Sequence, residues 1–372
     1  MLSGASGLAI VSSGGSESTS TRPRERCHFA RDALASEAWK GCNHYEMLRE
    51  RMAAFGNWDS RAAVRCSPRR VVDQSFGEQG LLFAPELVPG WRSAAFCDLS
   101  SQALRRLLAS ELLAYLEFTV HLETCVIVPV AQEMATVLPP GIPTSAASFR
   151  ADALRLLCDE AYHAYAAADL MGQVCEATGV RALPPPRLRS QLDNELADLD
   201  GRERALARLL FAVVSETLVS RAFAALPRDE RVHPAVRGFV HDHYQDEWQH
   251  HVFFSQVFER VWPTIAPESQ HRLGMRLPRF IELFLEPDLR AATQSLQDSG
   301  EWRTDLQAAL ELGRTELMRP EELIRRARGC LKVFEHARVY DRPALRARFE
   351  AADLLPRAGA PGRDEVAAAG TR

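Results

Sequence analysis

Two Glu-x-x-His matches, Glu160-Ala161-Tyr162-His163 and Glu247-Trp248-Gln249-His250, carry the strongest chemical signal in the chain. Side chains at i and i+3 of a helix share a face, so a Glu and a His at this spacing can close on one metal ion. With 11 histidines in the chain, about one such match arises by chance. The setting is what adds weight. Glu160 follows Leu154, Leu156, Leu157 and Cys158, and His250 precedes Val252, Phe253 and Phe254. Two further acids stand in apolar stretches: Glu123 beside Val120, Val126 and Ile127, and Glu216 within residues 209–219. An ionised carboxylate in such surroundings is costly unless it is paired or ligated. Along the chain the order is Glu, Glu-x-x-His, Glu, Glu-x-x-His, the ligand order of a di-iron or di-manganese carboxylate bundle. An Asp precedes each motif Glu, at Asp159 and Asp246. Metal-bound histidines usually give their second ring N–H to a carboxylate, and pseudo-symmetry would pair Asp159 with His250 and Asp246 with His163. A lone Glu or His on a helix is most often a solvated face; the inference rests on the set.

Those residues need long helices to carry them, and helical periodicity supplies four. The first is expected over residues 101–137, stopped by Pro139-Pro140-Gly141 and kinked or locally unwound near Pro129. The second spans about 145–177, with Gly179 as its breaker. The third covers 202–226, closed by Pro227, and the fourth 234–261, closed by Pro263. Further helices are expected at 268–285, 288–297 and 321–336, the last extending past Pro343. Residues 32–54 read as one or two short helices, 57–90 as irregular, and 187–200 as part of a polar connection. Strand signals are nearly absent, so the fold class is all-α, built on a bundle. The expected domains are a disordered leader at 1–30, a segment at 31–100 packing on the bundle, the bundle domain at 101–345 and a disordered tail at 346–372.

Composition narrows the function classes. The net charge of −4 at 25% charged residues lacks the basic excess of a nucleic-acid-binding protein. No run of about 18 apolar residues occurs, so no membrane span is expected. The leader has neither a basic start nor an apolar core of secretory length. Eight cysteines without a C-x-x-C pair read as reduced thiols of a cytoplasmic protein and exclude zinc-ribbon chemistry. A hard nitrogen and oxygen ligand set without thiolate suits iron, or manganese, over zinc or copper(I).

His243 stands four residues before Glu247, so His243, Glu247 and His250 share one helix face at i, i+4 and i+7. At this point the sequence resembles the p-aminobenzoate N-oxygenase (AurF-type) diiron oxygenases, whose fourth-helix pattern H-x-x-x-E-x-x-H stands here as His243-Tyr244-Gln245-Asp246-Glu247-Trp248-Gln249-His250. Glu123, Glu160, His163 and Glu216 match the family's other ligands in order and separation, and residues 57–64 resemble its N-terminal region. The resemblance covers about residues 45–340. Within the chain, Glu117 competes with Glu123 as first ligand and His251 with His250. His121 and His241 point away from the inferred ligand face.

The resemblance implies a ferritin-like or ribonucleotide-reductase-like four-helix bundle with additional flanking helices. It further implies two iron ions bound by Glu123, Glu160, His163, Glu216, His243, Glu247 and His250, and O2 as co-substrate. An external electron donor, a reductase or ferredoxin, is expected because the chain carries no flavin or nicotinamide fingerprint. The reaction expected is oxidation of a small-molecule amine to hydroxylamine, nitroso or nitro product, in natural-product biosynthesis, by a chain that forms a homodimer. The alternatives are a diiron C–H hydroxylase or desaturase on the same scaffold, and an iron-binding ferroxidase.

Overall fold

The computed structural model describes residues 54–73, 80–143, 147–182, 184–218 and 225–356. The leader expected at 1–30, nearly all of the helical signal at 32–54 and the tail beyond 356 lie outside the described residues. The described residues belong to one compact unit, Ala53–Arg372.

Two single-turn helices come first, α1 (Trp58–Arg61) and α2 (Ala63–Cys66). Helix α3 (Ser101–Leu122) starts where Ser100 accepts a hydrogen bond from the Ala103 N–H, an N-cap that satisfies one of the first-turn donors. It runs into a wider π turn, Glu123–Ile127, and continues as α4 (Val128–Thr136). The unwinding expected near Pro129 is thus found in the turn just before it. Proline clashes with the carbonyl four residues back, and widening that turn removes the clash. Helix α5 (Ala147–Thr178) ends at Gly179, whose φ of +67° is left-handed. Then come α6 (Leu188–Glu195), α7 (Gly201–Leu218) and α8 (Pro234–Val261), the last capped by His233 and opened by Pro234 at its first position. The flanking helices are α9 (Pro267–Gly274), α10 (Leu277–Leu285), α11 (Arg290–Asp298), α12 (Thr304–Leu317), α13 (Pro320–His336) and α14 (Pro343–Ala351).

Several expectations need correction. Residues 57–90 were expected to be irregular but hold α1 and α2, and the polar connection at 187–200 contains α6. The single helix expected at 268–285 is split into α9 and α10, because Pro278 in the first turn of α10 cannot continue a preceding helix. Helix α12 was not expected at all, and α14 runs through the domain end placed at 345, with Leu354 beyond it fully buried. Among the described residues no strand forms; one isolated bridge joins Leu81 and Val232. The stretch Ser101–Thr136 is, by length and composition, apolar enough to cross a membrane, although polar residues interrupt it too often for a continuous apolar run. Here it is a bundle helix, packed through α3 and α4 against α5.

The bundle consists of α3 with α4, α5, α7 and α8. Two apolar clusters fill it. One gathers Leu107, Leu112, Leu116, Leu170 and Phe239, and the other Val126, Leu156, Phe211, Phe254 and Phe258. Along α5 and α8 the change from one cluster to the other falls across Glu160–His163 and His243–His250. A polar layer therefore lies between two apolar ones, and it holds Glu123, Glu160, His163, Glu216, His243, Glu247 and His250.

Candidate metal centre

Each bundle helix contributes to that layer. The π turn presents Glu123, α5 presents Glu160 and His163, α7 presents Glu216, and α8 presents His243, Glu247 and His250. None of the seven is more than 6% exposed. Ligand atoms of Glu160, His163, Glu247 and His250 all lie within 4.8 Å of one another, and so do those of Glu123, Glu160 and Glu216. Glu160 is common to both groups.

The imidazoles face inward. His163 Nδ1 is 3.0 Å from Glu160 Oε2 and 3.5 Å from Glu247 Oε1. His250 Nδ1 is 2.8 Å from Glu160 Oε1, 3.4 Å from Glu247 Oε1 and 3.7 Å from Glu216 Oε2. His243 Nε2 is 3.0 Å from Glu247 Oε1 and 3.8 Å from Glu123 Oε1. Many of these atoms are close without being aligned for hydrogen bonding: Glu123 Oε2, Glu160 Oε1, Glu216 Oε2, both oxygens of Glu247, His243 Nε2 and His250 Nδ1 have no hydrogen-bond partner. Buried polar atoms are almost always satisfied. A converging set of bare oxygens and nitrogens fits a pair of hard cations, which would supply the missing partners.

Ring orientation is set from behind. His163 Nε2 lies 3.1 Å from Asp246 Oδ2, and His250 Nε2 lies 3.3 Å from Asp159 Oδ2. Those are the two pairings that pseudo-symmetry suggested. The N-terminal turns add a third tier. Trp58 donates its indole N–H to both oxygens of Asp159 at 2.8 and 2.9 Å. The Ala63 backbone N–H donates to Asp246 at 3.0 and 3.3 Å. His243 has a phenol behind it instead, with Nδ1 at 3.4 Å from the Tyr115 hydroxyl.

Without metal, protons carry the charge balance. Burial pushes the Glu123 and Glu216 carboxyls well above the ordinary range, and the charges of the neighbouring glutamates push them further. Burial acts on Glu160 and Glu247 too, but facing imidazolium charge overcomes it, bringing Glu160 to about 2 and Glu247 well below its usual value. Burial would lower His163; its hydrogen bonds to Asp246 and Glu160 prevail and raise it to about 10. His250 is likewise held well above its usual value against burial, by the charges of Glu160 and Glu247.

The rival residues stand elsewhere. Glu117 pairs with His121 at 3.1 Å, outside the cluster. His241 is exposed beside Asp242 and Gln245. His251 is buried but stacks on Trp248, while its neighbour His250 enters the cluster. A cavity of about 180 Å³ reaches His163 and His243 from the surface, walled by Tyr162, Phe239 and the Arg70–Asp242 ion pair.

A family model described as P-aminobenzoate N-oxygenase AurF matches residues 37–319, a span that takes in all seven cluster residues together with Trp58. The chain belongs to this family. It is an oxidoreductase of the monooxygenase type, and the AurF family is a diiron family. A 4-aminobenzoate N-oxygenase from Streptomyces thioluteus is 24% identical over 249 residues, which cover 65% of this chain and 73% of that protein. Its substrate is a small molecule, as an N-oxygenase of the AurF family requires. Trp58, Ala63 and Tyr115 were not assigned roles from the AurF-like sequence pattern. Tyr115 had a usable signal, since it lies two helical turns before Glu123 on one face.

Proposed function

We propose that this chain is a diiron N-oxygenase that uses O2 to convert the amine of a small biosynthetic intermediate to a hydroxylamine, and onward to nitroso or nitro product. Glu123, Glu160, His163, Glu216, His243, Glu247 and His250 would hold two iron ions. The observation that carries this reading is the convergence of four carboxylates and three imidazoles, with seven of their buried oxygens and nitrogens lacking a hydrogen-bond partner. The supporting comparison is the family match and the N-oxygenase relative.

Bound there, the iron pair would supply O2 activation next to the amine nitrogen. The chain's own residues do the rest. Asp159 and Asp246 fix the tautomers of His250 and His163, each proton sitting on the ring nitrogen that faces the aspartate. Tyr115 orients His243 without adding a charge. His243 adds a third nitrogen donor, which makes the centre more electron-rich and suits oxygen transfer to a nucleophilic amine. The two leucine- and phenylalanine-rich clusters keep bulk water from the polar layer. Each oxidation of amine to hydroxylamine consumes one O2, two electrons and two protons and releases one water, so an external reductant is required.

Iron reconstitution followed by an amine panel tests the proposal. Two irons per chain by elemental analysis, with aromatic or aliphatic amines gaining one or two oxygens by mass spectrometry under O2 and reductant, is the expected result. Iron bound with oxygen inserted only at carbon would move the chain to the hydroxylase reading. Absence of iron binding would remove the metal centre altogether.

A further inference from the structure

The cavity of about 180 Å³ between α5 and α8 runs inward to His163 and His243. We propose that it is the substrate pocket and that it selects an uncharged aromatic amine, excluding amines that carry a carboxylate. The inference rests on reading the cluster as the two-iron site of an N-oxygenase, which makes the inner end of the cavity the place where an amine nitrogen has to arrive.

The charges at the mouth are already balanced. Arg69 donates through Nε and Nη2 to the two oxygens of Asp169, at 2.9 and 2.7 Å. Arg70 donates through Nε and Nη2 to Asp242, at 2.8 and 2.5 Å. Two guanidiniums meet two carboxylates, and no net positive charge is left to draw in an anion. The arginines are also held in place. Gln173 of α5 accepts from the Val72 N–H at 2.8 Å and donates to the Arg70 carbonyl at 3.0 Å. The Arg70 side chain lies against Gly238 of α8, where an added Cβ would come within 2.8 Å of its Nε. A substrate carboxylate would have to draw Arg70 off Asp242, whose side chain is only 14% exposed. One of the two acids would then be poorly solvated and without a partner, which is costly.

Past the mouth the walls are aromatic and small. Tyr165 stands exposed at the rim, and Tyr162, Ala166 and Phe239 line the way in. The Phe239 ring is 5.9 Å from the His243 ring, so the aromatic wall leads directly to the cluster. An apolar cavity of about 150 Å³ holds one benzene ring, and this one therefore has room for a single substituted ring. Flat rings pack well against such walls. An aromatic amine is uncharged near neutral pH and keeps the nitrogen lone pair that oxygen transfer needs. An alkyl amine is protonated there and has no lone pair to offer until it loses that proton. Tyr162 and Phe239 are thus specificity-determining residues, and the Arg70–Asp242 pair sets the charge of what may pass.

The test titrates the full chain, iron-loaded and metal-free, with 4-aminobenzamide, 4-aminobenzoate and cyclohexylamine in a calorimeter. Both forms should bind the amide at least about tenfold more tightly than either charged compound. Asp242→Asn removes the partner charge of Arg70 and should shift the preference toward 4-aminobenzoate, relative to the amide, at least about tenfold. Ala166→Phe fills the cavity and should weaken the amide at least about tenfold. Equal or tighter binding of 4-aminobenzoate or of cyclohexylamine by wild type overturns the substrate class. An unchanged preference in Asp242→Asn overturns the role of the ion pair, and unchanged amide binding in Ala166→Phe overturns the pocket. If Ala166→Phe does not fold, photolabelling of wild type with 4-azidoaniline decides: label on the peptides carrying Tyr162 or Phe239 supports the pocket, and label elsewhere overturns it. A chain that binds the amide in the expected pattern but takes up no iron supports the pocket and overturns the two-iron reading. A chain that takes up two irons but does not bind the amide overturns the pocket alone.

Discussion

Burial acts on Glu160 and Glu111 alike, and what faces the group decides the outcome. Glu160 meets imidazoles and is held at about 2. Glu111 on α3 meets none; burial, reinforced by the charge of Asp288, pushes it up to about 8. A folded value above the unfolded one gives stability that is fully present below the unfolded range near pH 4.5 and is lost as pH rises through about 8. Glu111→Gln keeps the oxygen that accepts from the Ala292 N–H and removes the titration. The variant should equal wild type in the acid range and exceed it by about 1–3 kcal/mol above pH 8, with a flatter pH profile in denaturant titrations. An unchanged difference across that window would contradict the assignment. His243 allows a second test at this scale. His243→Ala leaves six of the proposed ligands and both Asp–His pairs in place. It should retain two irons yet oxidise amines at least about tenfold more slowly; full activity with iron retained would remove His243 from the function. Glu216 and Glu160 were legible as residues because acids in apolar helical stretches are costly without a partner. Trp58 was not, because its partner Asp159 lies 101 positions away.

Two elements position the centre in ways that helical periodicity does not announce. One is the π turn at Glu123–Ile127, where Val128 N–H reaches back to Glu123 and Thr124 Oγ1 donates to the Val120 carbonyl. The wide turn shifts the register between α3 and α4, so Glu123 can enter the polar layer while Val126 and Ile127 stay buried. Pro129 made an irregularity here foreseeable, though not its kind. The other is the pair of single turns α1 and α2, which has few apolar positions and no periodicity to count. Helix α2 packs on α5 and α8 and directs the Ala63 N–H at Asp246. Ala63 is the first residue of α2, and Ala62 before it has an extended ψ of 135°, a backbone that accepts a following proline. Ala63→Pro should therefore leave helical content intact while deleting the donor to Asp246 and crowding its carboxylate. Iron affinity is expected to fall about tenfold, as it does when a group behind a ligating histidine is disturbed. Competition with a coloured chelator measures it, and unchanged affinity would show that the Ala63 contact is dispensable.

At the scale of the whole molecule, the flanking helices hold the bundle from outside. Helix α11 packs on α3, and α10 and α13 pack on α7. Helix α12 is tied to the chain before the bundle by a backbone contact. A Cβ on Gly313 would lie 2.0 Å from Gly90 N and 2.5 Å from Pro89 C, and Gly90 itself has a φ of +74°. Gly313→Ala should cost at least about 2 kcal/mol, because backbone cannot yield as a flexible side chain does. Calorimetry of the metal-free protein would show it, and an unaltered midpoint would mean that α12 moves away freely. The sequence by itself determined the all-α class, the four long helices and the acids and histidines they carry, since apolar spacing, helix stops and the cost of burying charge are local properties. Only the tertiary structure decided that Glu123 and not Glu117 joins the cluster, that a phenol stands behind His243, and that Trp58 and Ala63 brace the two aspartates. Those outcomes depend on a register shift within one helix and on hydrogen bonds spanning 101 and 183 positions, which leave no periodicity in the chain to read.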